Sequence, residues 1–167
     1  QTRRLTILIA DDHPVYRQGL ERAIAEREEL ELVGSSADGR EALERLHELE
    51  PDVAVVDVRM PGLDGLKIVA AARRDGLRTR IMLLTGYEDS AAAYSALAQG
   101  AAGYVSKASD HTELIASIVT AGRGETVIAP QFAAGIANEI QLRETSDRPA
   151  LTGREAEVLT LLAEGRT

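Results

Sequence analysis

Val53-Ala54-Val55-Val56-Asp57-Val58-Arg59-Met60-Pro61-Gly62 is the stretch that decides the fold. Four apolar residues run without a polar break and stop on an acid. A strand with one solvated face would alternate apolar and polar residues. An unbroken run reads instead as a strand buried on both faces, as in a parallel sheet. Pro61-Gly62 and then Asp64-Gly65 are turn signals, so the chain leaves the strand into a strand-to-helix connection.

Working outward, the same kind of run recurs at Leu5 to Ala10, Leu30 to Val33, Ile81 to Leu84 and Gly103 to Val105. Four of the five runs lack polar alternation; the run at Leu30 has Glu31 inside it. The segments between them carry helical periodicity: Tyr16, Leu20 and Ile24; Ala42, Leu43, Leu46 and Leu49; Leu114, Ile115, Ile118 and Val119. Pro14 is placed to open the first helix, where its missing N–H costs nothing. Strands alternating with helices predict an α/β fold, a doubly wound (βα)5 parallel sheet with helices on both faces.

The pattern changes after Ala121. Gly122 and Gly124 end the last helix of the repeat. Pro130 opens a further helical stretch with Phe132, Ile136 and Ile140 on one side, and Arg143 to Pro149 reads as a polar linker. Thr152 and Glu155 form a capping-box signature, Val158, Leu159 and Leu162 an apolar stripe, and Gly165 a stop. The expected organisation is one domain over 1–121, a linker with a helix over 122–150, and the start of another helical unit over 151–167.

Composition narrows the function classes. The 167 residues are 44% hydrophobic and 28% charged, those of an ordinary globular chain, and with no Trp and one Phe the core must be aliphatic. There is no Cys, which excludes disulfides, thiol catalysis and thiolate metal sites and suits a cytoplasmic protein. No stretch resembles a membrane span or a signal peptide, and the start at Gln1 fits a trimmed chain. A net charge of −8 argues against nucleic-acid binding by this piece alone.

In open α/β sheets ligands bind beyond the carboxyl ends of the strands. The first strand ends in Asp11-Asp12, the third in Asp57, the fourth in Thr85-Gly86, and the fifth runs into Lys107. Taken singly, each has a structural explanation: helix-dipole acids, a polar strand terminator, a turn threonine, a solvated lysine. Their coincidence at four correctly ordered strand ends favours a site. Three clustered carboxylates repel one another, and a hard divalent cation relieves that cost. An all-oxygen donor set points to Mg²⁺. A carboxylate so neutralised can act as a nucleophile toward phosphorus, with Lys107 and Thr85 available for phosphoryl oxygens. His13, His47 and His111 are scattered and read as solvated or helix-cap residues.

Ile9-Ala10-Asp11-Asp12-His13, Val55 to Gly62, Leu84-Thr85-Gly86 and Gly100 to Lys107 together resemble the receiver domains of two-component response regulators, over roughly residues 5 to 121. The resemblance implies a flavodoxin-like sheet of order 2-1-3-4-5. It implies Asp57 as phosphoacceptor, Asp11 and Asp12 with the Arg59 backbone carbonyl around Mg²⁺, Thr85 and Lys107 as phosphoryl-stabilising groups, and Tyr104 as an aromatic switch. In many receivers the lysine precedes a cis proline. Here Ala108 follows Lys107, and a non-proline cis bond costs ~3 kcal/mol, which leaves that peptide's geometry open. Leu151 to Leu159 is similar to the opening of a LuxR-type helix-turn-helix domain, which would place the parent in the NarL/FixJ group. The recognition helix is not included, so DNA would be bound only through the full-length output domain.

The expected function is a switch rather than an enzyme. A sensor histidine kinase would phosphorylate Asp57, and the altered face would control dimerisation or the output domain. A phosphohydrolase of the haloacid-dehalogenase type is the rival. It wants Asp-x-Asp on the first strand and a cap insertion, and this chain has neither.

Overall fold

The structure, a computed structural model, describes residues 3–87, 89–145 and 153–163. In chain order its elements are β1 (Leu5–Ala10), α1 (Pro14–Ala25), β2 (Leu30–Ser36), α2 (Gly39–Leu49), β3 (Val53–Asp57), α3 (Gly65–Arg74), β4 (Arg80–Thr85), α4 (Ser90–Ala98), β5 (Gly103–Ser106), α5 (His111–Gly122), β6 (Val127–Ile128), α6 (Pro130–Thr145) and α7 (Gly153–Ala163).

The strands form one sheet in the order β2-β1-β3-β4-β5-β6, with every pairing parallel. The first five follow the expected order. β6 is an addition: Val127 and Ile128 pair with Gly103 and Tyr104 at the far edge of β5.

The unbroken apolar runs have a direct cause. Successive side chains of a strand point to opposite faces. Ile7, Ile9, Val53, Val55, Met82 and Leu84 therefore pack beneath α1 and α5, while Leu8, Ala10, Ala54, Val56, Ile81 and Leu83 pack beneath α2, α3 and α4. Both faces are covered, so neither set can be polar.

The helices start where the sequence supplies acceptors for free N–H groups. Asp38, Asp64, Asp89 and Asp110 cap α2, α3, α4 and α5 with their carboxylates. Gly65 lets α3 begin hard against the end of β3. A Cβ there would come 2.7 Å from the Asp57 carbonyl oxygen.

The region expected to be a linker contributes to the core. Ile128, Phe132, Ile136 and Ile140 are all 0–1% exposed and join the cluster on the α4 side of the sheet. Gly135 permits this approach, since a Cβ at that position would overlap the Ser90 side chain at the start of α4. The helix also runs on through Thr145, past the Arg143 boundary expected for a flexible segment, and the Arg143 guanidinium stacks 4.4 Å from the centroid of the Tyr94 ring. The rest of that linker, the capping Thr152 and the stop at Gly165 lie outside the described residues. α7 rests on the sheet domain: Arg154 donates from Nε to the Leu97 carbonyl at 2.6 Å and from Nη2 to the Ala101 carbonyl at 2.7 Å, and Val158 is 2% exposed. Among the described residues no helix is long and apolar enough to cross a membrane.

Candidate phosphoacceptor site

The carboxyl ends of β1, β3, β4 and β5 meet at one edge of the sheet. Asp11 follows the last residue of β1 and its backbone N–H extends the β1–β2 ladder to the Ser36 carbonyl at 2.9 Å. Asp57 is the last residue of β3, and Thr85 the last of β4. Lys107 follows β5 and is held in register by a backbone bond, its N–H donating to the Thr85 carbonyl at 2.8 Å.

This register brings Asp11, Asp12, Asp57 and Lys107 together. The Lys107 ammonium lies 3.0 Å from Asp57 Oδ2, to which it donates a hydrogen bond, and 2.8 Å from Asp11 Oδ2. The second contact is an ion pair without hydrogen-bond alignment, so Asp11 Oδ2 is buried with no hydrogen-bond donor; Asp12 Oδ1 is likewise unsatisfied. The opposite oxygens are tied to backbone. Asp11 Oδ1 accepts from the His13 N–H at 2.8 Å, and Asp57 Oδ1 from the Arg59 N–H at 3.2 Å.

Asp57 is 4% exposed and its carboxyl pKa is raised. Burial is the main cause. The Lys107 hydrogen bond and charge oppose the shift, and the Asp11 charge reinforces it. Within the low-dielectric edge of the sheet, Asp11 and Asp57 thus share one ammonium, with Asp12 close by.

His13 is solvent-exposed at a helix cap, as the sequence reading has it, and it also meets the acids. It occupies the N-cap position of α1 without a side-chain capping bond. Its Nδ1 sits 3.1 Å from Asp11 Oδ1, 3.2 Å from Asp12 Oδ1 and 3.4 Å from Asp57 Oδ2, so it belongs to the cluster. Asp11, Asp12, His13 and Asp57 each offer a ligand atom, all within 4.8 Å of one another. The chemistry of the donor set fits a cation: the carboxylates are hard oxygen donors, and two buried oxygens accept no hydrogen bond. The other histidines behave as expected of surface residues. His47 pairs with Asp75 at 3.0 Å, and His111 starts α5.

Thr85 and Tyr104 stand apart from the acids. The Thr85 hydroxyl is turned into its own loop, accepting from the Tyr87 N–H at 3.1 Å and donating to the Tyr87 carbonyl at 3.2 Å. Tyr104 is 1% exposed in β5. Its phenol pKa is raised by burial, against a hydrogen bond with Thr85 that lowers it. Its ring meets Phe132 of α6 edge-on, centroids 4.9 Å apart and planes at 88°. Arg59 is exposed beyond Asp57, with its guanidinium 4.5 Å from the centroid of the Tyr87 ring. No peptide among the described residues is cis, so the Lys107–Ala108 bond is trans.

Sequence reasoning missed Tyr16 as well as His13. Its place in an apolar stripe explains why. Yet the Lys107 ammonium lies 4.9 Å from the centroid of its ring. A separate cleft of about 370 Å³ is lined by Arg73, Arg78, Arg80 and Arg154. It lies at the start of β4, the end opposite Thr85, and is not part of this site.

Comparison with known proteins accords with this geometry. A family model described as the response regulator receiver domain matches residues 7–119. The chain is 39% identical over 167 residues to a probable transcriptional regulatory protein NarL of Mycobacterium tuberculosis (strain CDC 1551 / Oshkosh), covering 100% of this chain and 77% of that protein. Among solved structures, the signal receiver domain of NarL from Mycobacterium tuberculosis is 38% identical with a TM-score of 0.73, covering 74% of this chain and 100% of that one. A LuxR-family two-component response regulator from Aurantimonas sp. SI85-9A1 is 35% identical with a TM-score of 0.76, covering 81% of this chain and 97% of that one.

Proposed function

The chain belongs to the response-regulator receiver family, and from that premise we propose that Asp57 is the residue on which it takes up its phosphoryl group. It is the receiver of a NarL-type response regulator that controls transcription, and phosphorylation of an aspartate by a histidine kinase is typical of the family. The observation that carries the residue assignment is the Lys107 ammonium shared between Asp57 Oδ2 and Asp11 Oδ2, at 3.0 and 2.8 Å, where three strands end.

In the transfer, an Asp57 carboxylate oxygen attacks the phosphorus of a phosphohistidine. A P–O bond forms, the P–N bond breaks, and the imidazole nitrogen keeps the electron pair. Lys107 is already in reach of the nucleophile and pairs with an oxygen of the arriving group. Receiver domains bind Mg²⁺ at an acidic cluster. Here Asp11, Asp12, Asp57 and the Arg59 backbone carbonyl would hold it, a reading supported by the two donor-free buried oxygens. When bound, the ion offsets negative charge on the incoming phosphoryl group.

The phosphorylated Asp57 gains charge and acceptor oxygens. The Thr85 hydroxyl exchanges its two bonds to Tyr87 for one to the phosphoryl group, and the Tyr104 ring adjusts with it. The face around α4, β5 and α5 changes, favouring pairing with a second copy and freeing the output domain. Response regulators are signalling proteins; any catalysis here is confined to the chain's own phosphorylation and dephosphorylation.

Labelling with acetyl phosphate and Mg²⁺ tests the assignment. Borohydride reduction followed by mass spectrometry should locate the modification at Asp57, and Asp57→Asn should abolish it. Undiminished labelling of the Asn variant would falsify the assignment.

A further inference from the structure

Lys107 has a long flexible stem and a point charge, so something must hold its ammonium where a phosphoryl group will arrive. It contacts the Asp11 and Asp57 carboxylates and, at 3.0 Å, the His13 Nδ1. Tyr16, an α1 residue, also lies against it, with its ring centroid 4.9 Å from Lys107 Nζ, within the reach of a cation–π contact. The ammonium is largely shielded from water, its side chain 14% exposed, where such a contact is strongest.

The ring is itself held. It meets His111 of α5 edge-on, centroids 5.9 Å apart and planes at 81°. His111 in turn lies against Gly19 one turn further along α1, where a Cβ would come 3.1 Å from its Cε1. The Tyr16 hydroxyl is buried with no hydrogen-bond partner. What the side chain offers Lys107 is therefore its face. The same surroundings keep the phenol neutral: burial, then the charges of Asp11 and Asp57, push its pKa to about 12.

We propose that Tyr16 is a positioning residue for the phosphoacceptor, its ring face holding the Lys107 ammonium between Asp11 and Asp57. This rests on the reading of Asp57 as the site of phosphorylation. Without the aromatic face, Lys107 still has its ion pairs but a wider range of positions. It then meets the phosphoryl oxygen in the right place less often, and transfer slows.

The test uses the full chain with acetyl phosphate as donor. Position 16 carries Tyr, Phe, Leu, or phenylalanine with one, two or three ring fluorines. Fluorination withdraws electron density from the face at nearly constant shape, so a packing role leaves the rate unchanged along the series and a cation–π role lowers it stepwise. We expect Tyr16→Phe to match the wild type, the fluorinated rings to slow progressively, and Tyr16→Leu to be about tenfold slower. A rate that is flat across the fluorinated series overturns the proposal, whether or not Tyr16→Leu folds. Mass spectrometry of the wild type separates the two layers. A phosphoryl group found elsewhere than Asp57 defeats the site assignment, whereas Asp57 labelled at one rate in every ring variant defeats only the role of Tyr16.

Discussion

Replacing Asp57 by Asn should make the chain more stable at neutral pH in the absence of divalent cations. The two side chains have nearly the same shape, so the change removes a charge and little else. Asp57 is 4% exposed, and its carboxylate lies within 4.8 Å of those of Asp11 and Asp12. At an effective dielectric constant of about 20, each such repulsion is worth about 3.5 kcal/mol, and the ion pair to Lys107 at 3.0 Å returns about 5.5 kcal/mol. Among these carboxylates and Lys107, two repulsions against one attraction leave the charge unfavourable by roughly 1.5 kcal/mol, before a desolvation cost of the same sign. For a chain of this size that corresponds to a rise in melting temperature of about 4 °C.

The pH dependence has a definite sign. The Asp57 pKa is raised in the folded chain, chiefly by burial. Folding therefore binds the proton more tightly, and this contribution is fully present below the ordinary carboxylate pKa of about 4 and lost as pH rises through the higher folded value. The gap between variant and wild type should open across that interval. Melting curves followed by circular dichroism in EDTA, at several pH values, measure it. Excess Mg²⁺ should stabilise the wild type and not the variant, closing the gap. An Asn variant that melts at or below the wild-type temperature in EDTA at neutral pH would refute the idea of an under-compensated buried charge. Equal stabilisation of both proteins by Mg²⁺ would remove Asp57 from the ligand set.

Three further substitutions probe the surrounding structure. Lys107→Ala strips the paired ammonium from Asp57 and Asp11, and urea unfolding should register a loss of about 3 kcal/mol, much reduced when Asp57→Asn is added. Gly135→Ala should destabilise in spite of a helix-propensity gain of about 1 kcal/mol, because the new methyl overlaps Ser90; Ser90→Gly in the same chain should recover stability, and additive effects would count against the clash. Arg154→Ala removes the donors to the Leu97 and Ala101 carbonyls, so amide exchange across residues 153–163 should speed up by about tenfold while that of β1 and β3 stays unchanged.

Much of the fold was legible because a sheet buried on both sides leaves unbroken apolar runs, and Val53–Val56 and Ile81–Leu84 end where β3 and β4 deliver Asp57 and Thr85. The acids and Lys107 were legible because ligand sites in such sheets gather at strand ends. Val127 and Ile128 were not, since two residues carry no periodicity and only the exposed edge of β5 makes them a strand. The stripe Phe132, Ile136 and Ile140 announced a helix but not its partner, which is the surface built by α4 and Tyr104. A polar segment from Arg143 read as linker because the exposed end of a helix and a loop have the same composition. Tyr16 and His13 were obscured differently. One sits in a core-like stripe and the other at a helix cap, and only the tertiary fold turns both toward Lys107.

The seating of Phe132 on Tyr104 also sets a schedule for biosynthesis. A chain leaving the ribosome releases its first five strands by Ser106, yet the sheet's last edge and the cover over Tyr104 come from residues 127–140. At about 5–20 residues per second, the interval between the two lasts a few seconds. Throughout it the nascent sheet shows water the unpaired edge of β5 and the apolar face that α6 will close. Slow codons placed between these segments would lengthen that exposure, and chaperone demand should peak there rather than at the end of synthesis.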